Sequence, residues 1–176
     1  MSVRAVLLRP SPSLSRRFSH TIAGRVAEVI GRPVRVGPVF RVDAKAYDAS
    51  RKQYRGEDIL RMVCAGNAGD TVDVVVLVDE DCYGAGLTFV FGQAMMHKGC
   101  AFVACARLHG SLGAKPESER RFALRLVKEI VHELGHTRGL LHCPRPGCVM
   151  HFSSTLDDTD RKGPAYCPSC RTKLQS

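Results

Sequence analysis

Leu14, Phe18, Ile22, Val26 and Ile30 recur every four residues. That spacing draws one apolar stripe along a helix, and Gly31 supplies the residue type that closes it. Ahead of the helix, residues 3–8 read as a buried strand, and behind it residues 34–42 return to a strand-like pattern. Glu57 and Asp58 open a short helix ending near Gly66, their charges at the positive end of its dipole. Residues 72–78 are almost wholly apolar, as a central strand covered on both faces would be. Residues 87–91 and 101–106 suggest two more strands. After a glycine-bearing loop at 110–116, a long helix is expected over residues 117–138. Its stripe is Ala123, Val127, Ile130 and Leu134, with His132 and His136 nearly opposite. Strands alternating with helices predict an α/β layered core.

A chain of 176 residues fits one domain. Its tail, 140–176, is rich in turns and too small to bury a core of its own, a deficit that a bound metal commonly makes good. No apolar run approaches the roughly 18 residues of a membrane span, and MSVRAVLLRP lacks the features of a signal peptide. The expectation is a soluble, cytoplasmic protein with no membrane partner, in which reducing conditions keep all eight cysteines as thiols. Cys64, Cys82, Cys100 and Cys105 then read as small apolar core residues, with Cys100 and Cys105 facing opposite sides of an extended segment.

The net charge is +9, and half of the 26 Lys and Arg residues lie at or before Arg61. Such a surface attracts nucleic acid weakly. However, the arginines are scattered, aromatics are few and tryptophan is absent, so no stacking platform is visible. A solvated basic face is the better reading. The acidic trio Asp79, Glu80 and Asp81 reads as a solvated strand end, with contact to a substrate amine as the alternative.

The chemistry concentrates in HELGHTRGLLHC, residues 132–143. Residues four apart on a helix point about 40° apart, so His132 and His136 can face one metal. Glu133, beside the first histidine, can reach a water on that metal. Gly139 lets the backbone leave the helix and bring His142 round as a third ligand. Three ligands rather than four leave a position open, which hydrolytic zinc requires. Immediately downstream, Cys143 and Cys148 form C-x4-C, and Cys167 and Cys170 form C-x2-C. Two close pairs of thiolates suit a tetrahedral structural zinc closed to water, the alternatives being two disulfides or buried thiols.

HELGHTRGLLHCPRPGCVM followed by YCPSC resembles the archaemetzincins, a branch of the metzincin clan of zinc peptidases; the likeness is most specific over residues 129–173. The resemblance implies a metzincin-like mixed sheet with packed helices, an active-site helix and a small zinc-stapled C-terminal subdomain, divided as 1–139 and 140–176. It implies a catalytic zinc on His132, His136 and His142, with Glu133 as general base. It also implies a structural zinc on Cys143, Cys148, Cys167 and Cys170. Met150 becomes the Met-turn residue beneath the catalytic metal; taken alone, it is a soft apolar core residue. Residues 87–91 become an edge strand lining the cleft, or, without the family, an ordinary core strand. The expected function is therefore a zinc metalloprotease acting on peptides or proteins. The alternative is a gated or non-catalytic zinc-stabilised protein that binds peptide or nucleic acid.

Overall fold

The computed structural model describes residues 4–67, 72–110 and 118–175. Strand β1 (Ala5–Arg9), helix α1 (Arg16–Ile30) and strand β2 (Val34–Val36) come first. Two short strands, β3 (Tyr47–Asp48) and β4 (Gln53–Arg55), lead into helix α2 (Gly56–Ala65). Strands β5 (Val72–Val78), β6 (Cys82–Tyr83), β7 (Gly92–Met95) and β8 (Cys100–Ala104) follow. Helices α3 (Glu119–Thr137), α4 (Leu156–Arg161) and α5 (Pro168–Gln175) complete the order.

The main sheet runs β2-β1-β5-β8-β7, with β7 alone antiparallel, and β3, β4 and β6 form a second, small sheet. The apolar run at 72–78 is the central strand β5, as its composition predicts. Val75 and Leu77 join one core with α1 and α3, while Val74, Val76 and Val78 join another with α2. Alternate side chains thus feed opposite faces, the period-2 geometry of a strand buried on both sides. Helix α1 ends where expected, at Gly31 with φ +65°.

Several expectations need correction. The strand expected over 34–42 stops at Val36, because Gly37 packs on Leu7 and Pro38 has no N–H for a ladder; Phe40 N–H instead donates to Pro10 O at 2.9 Å. Residues 87–91 are not a strand; they make one isolated bridge, Val90 to Cys82, and the sheet edge is β7. Cys64 and Cys100 are joined as a disulfide across α2 and β8, with Cα atoms 5.4 Å apart, so not all eight cysteines are free. Cys82 and Cys105 are buried thiols, and Cys100 and Cys105 serve opposite cores. Helix α3 begins at Glu119 on a Ser118 cap, while residue 3, most of the 110–116 loop and Glu117 lie outside the described residues. Among the described residues, no helix is long and apolar enough to cross a membrane.

Candidate active site and metal centres

Helix α3 is buried on nearly all sides, not along one stripe. Leu126 and Ile130 enter the core, while Arg125, Glu129, His132 and Glu133 are also buried. A helix enclosed in this way must satisfy its polar side chains internally. Arg125 does so through paired bonds of 2.8 and 2.7 Å to Asp160 and one of 3.1 Å to Leu108 O. Lys128 reaches the Thr159 and Asp160 carbonyls, both at 2.9 Å. These contacts fasten α4 across the back of the helix.

At its C-terminal end the helix presents His132 and His136, and the chain turns through Gly139 at φ +87°. Leu140 N–H closes the turn on Gly135 O at 3.0 Å. A side chain at Gly139 would also strike the ring of His97, whose backbone N–H donates to Thr137 O at 3.0 Å. The turn swings His142 to the other two histidines. One nitrogen from each of the three rings lies within 4.8 Å of the others.

The protonation pattern of these rings follows from their partners. His132 Nδ1 lies 2.8 Å from Val149 O and His136 Nδ1 lies 2.7 Å from Leu140 O. A carbonyl oxygen only accepts, so both Nδ1 atoms carry the proton and both Nε2 atoms present lone pairs. Those two Nε2 atoms face each other at 3.0 Å. Burial, the Lys162 ammonium and His136 hold His132 well below the usual imidazole range, and burial lowers His136 and His142 as well. A shared proton is therefore disfavoured, and two opposed lone pairs are relieved only by a cation between them. Two nitrogens bound tetrahedrally to zinc at 2.0–2.1 Å sit about 3.3 Å apart, close to this arrangement.

Glu133 completes the picture. Its side chain is buried and its Oε2 has no hydrogen-bond partner. Burial and the neighbouring Glu129 push its carboxyl well up, against the pull of Lys162. A divalent cation on the histidines would be the missing counter-charge, so the residues present fit a metal. Histidines and glutamate open onto a cleft of about 380 Å³, whose walls include Leu60, Phe89, Gly92, Gln93, Phe152 and Ser153. Beneath it, Met150 is fully buried against Gly135, where any side chain would collide with its sulfur. Tyr166 OH donates to Val131 O at 2.7 Å and braces the same turn of α3.

The cysteines form a separate centre. Cys143 and Cys167 Sγ atoms are 3.9 Å apart, those of Cys148 and Cys170 are 3.8 Å apart, and all four lie within 4.8 Å. A disulfide needs about 2.05 Å, whereas sulfurs tetrahedral about zinc at 2.3 Å sit about 3.8 Å apart. Backbone N–H of Cys170 helps hold the Cys167 thiol down at about 7, ready to ionise.

The acidic trio divides. Asp81 pairs with Arg107 at 2.6 Å, Asp79 accepts from Ser13 Oγ at 2.7 Å and meets His109, and Glu80 is exposed, away from the histidine cleft. Sequence reasoning overlooked Glu129, Lys162, Tyr166 and Gln93. Gly135, inside HELGH, was the one available sign that something packs closely on the helix.

Comparison with known proteins agrees with this geometry. The sequence model of Peptidase family M54 matches residues 17–176. The archaemetzincin of Methanopyrus kandleri is 40% identical over 163 residues, 93% of this chain and 87% of its own length. The crystal structure of an archaemetzincin from Archaeoglobus fulgidus, complexed with malonate, superposes with a TM-score of 0.81 at 32% identity, covering 96% of this chain and 99% of that one. A zinc-dependent peptidase from Methanocorpusculum labreanum gives a TM-score of 0.87 at 26% identity, with coverage of 96% and 99%. With a histidine cluster on a buried helix, a four-cysteine centre and a match across nine-tenths of its length, the chain belongs to the archaemetzincins, peptidase family M54, and is a zinc-dependent metallopeptidase.

Proposed function

We propose that His132, His136 and His142 hold the zinc on which hydrolysis depends. Cys143, Cys148, Cys167 and Cys170 hold a second zinc that braces residues 140–176 as a small subdomain against the rest. The observation that carries this reading is the pair of Nε2 atoms 3.0 Å apart, each on a ring whose Nδ1 is committed to a carbonyl. When bound, zinc supplies Lewis acidity toward a carbonyl oxygen and lowers the pKa of water toward 7.

Glu133 acts as the general base. Its side chain lines the cleft with one oxygen lacking a hydrogen-bond partner, and there it takes the proton of the attacking water and delivers it to the departing amine. Met150 is the apolar floor that fixes the turn of helix between the two ligands. The substrate is a peptide lying extended along β7, whose outer edge carries no strand partner among the described residues and whose Gly92, Gln93 and Ala94 line the cleft. Main-chain pairing of that kind gives affinity with little dependence on sequence.

Digestion of a peptide library, read by mass spectrometry with the parent beside Glu133→Ala, tests this. Cleavage by the parent alone is expected, with zinc retained in both. Equal cleavage by the variant would remove Glu133 from the mechanism, and loss of zinc from it would remake Glu133 as a ligand. The positions of the cuts separate end-trimming from internal cleavage.

A further inference from the structure

Beside the histidines, with Glu129 at the cleft wall, lies a pair of charges that the mechanism does not use. The Lys162 side chain is fully buried, and its Nζ is 3.0 Å from Oε1 of Glu129, whose side chain is 3% exposed. Glu129 Oε1 also accepts from Thr159 Oγ1 at 3.1 Å, and Lys162 Nζ donates to His151 O at 3.4 Å. A buried ion pair loses much of its hydration for little net gain, and apolar residues of the same size often stabilise as well or better. Its placement is therefore more informative than its energy.

The same Lys162 Nζ is 3.4 Å from His132 Nδ1. That nitrogen can serve one partner in either of two ways. As a donor to Val149 O, at 2.8 Å, it leaves the Nε2 lone pair facing the cleft. As an acceptor from the ammonium, it would shift the ring proton to Nε2, where no metal can then bind. The ammonium is a competitor within reach, and Glu129 holds it at the shorter distance of 3.0 Å.

We infer that Glu129 is a positioning residue: by anchoring the Lys162 ammonium it keeps that group off His132 Nδ1 and so preserves the metal-binding tautomer of the first histidine. The inference rests on His132 being a zinc ligand, as proposed above. Glu129 borders the cleft, but in this role it works through Lys162 and not on substrate.

The test is zinc affinity at the histidine site, by chelator competition on the full chain, for the parent, Glu129→Gln, Lys162→Met and the double variant. Glutamine keeps the shape and loses the anchoring charge. Its affinity should fall roughly 10–100-fold, the usual cost of disturbing a group that orients a ligand. Removing the competitor as well should restore affinity to within about threefold of the parent, and Lys162→Met alone should stay in that range. The hydrogen-bonded His132 Nδ1 proton, seen by 15N-edited NMR of the loaded chain, should weaken only in Glu129→Gln. A pair that served only packing would move stability in both single variants without this one-sided pattern.

Parent-like affinity in Glu129→Gln, or a double variant as weak as the single, would overturn the inference. Should Glu129→Gln not fold, Glu129→Asp decides, its shorter arm drawing the carboxylate away from Lys162: a drop of about tenfold or more that Lys162→Met reverses supports the guard, and parent-like affinity overturns it. A parent with no metal at its histidines would instead overturn the site assignment, and this inference with it.

Discussion

The two proposed metal centres meet at neighbouring residues, His142 and Cys143, yet are built by opposite rules. The histidines come mainly from one helix with regular spacing, keep one exposed member and open onto a cleft. The cysteines come from two segments, with Cys148 and Cys170 buried, and none of the four lines that cleft. Helical spacing can present two ligands on one face but not four around a point, so a helix-based site stays incomplete and is available to substrate. Ligands gathered from separate turns can enclose an ion completely, and such a site holds the chain together. On the function proposed above, the difference between a working and a holding centre is already present in where the candidate ligands sit along the backbone.

If that contrast is right, damage to the two centres should separate. The largest effect is expected from Cys170→Ser, which opens the closed centre: the melting temperature should fall by roughly 10 °C or more, and zinc content should drop. A melting curve unchanged from the parent would mean that the cysteines do not hold the tail. Next, His142→Ala should weaken zinc at the histidine site by about 100-fold or more while thermal unfolding changes little, because His142 is exposed. Coupled loss of both metals would erase the distinction between the centres.

A third comparison uses the disulfide, which lies in neither centre. Cys64→Ser should lower stability by roughly 2–4 kcal/mol, as removal of a link closing a long loop does, with both zinc sites still filled. Metal loss in that variant would show the centres to depend on the sheet more than on their own ligands. The smallest effect is expected from acid. Arg125 holds the Asp160 carboxyl below its ordinary 3.8, so the pair's contribution is complete above that value and disappears as pH falls through the lowered one. Asp160→Asn should remove this part of the acid sensitivity in pH-dependent melting. An unaltered profile would assign it to other carboxylates.

Long regular elements and close-spaced ligands were legible in the sequence. The stripe from Leu14 to Ile30, the apolar run at β5 and the histidine and cysteine spacings each repeat a local geometry, and α1, β5 and the two clusters appear where those repeats place them. Short or atypical elements were not. β3 and β6 are two residues each, too short for any periodicity, and β7, Gly-Gln-Ala-Met, has none of the β-branched residues that mark strands. The Val and Phe residues at 87–91 mimicked a strand because Val90 and Phe91 are buried from a loop. Pairing of Cys64 with Cys100, and of Glu129 with Lys162, joins residues 36 and 33 positions apart, contacts that only the folded topology creates.

The backbone of Cys143 is held at both ends: its N–H donates to Met150 O at 2.9 Å, and its carbonyl meets His151 Nδ1 at 3.0 Å. The peptide bond joining it to His142 is therefore a short, firmly held link between the histidine and cysteine clusters. With zinc on the cysteines as proposed, a change at that cluster reaches the third histidine through this one peptide bond.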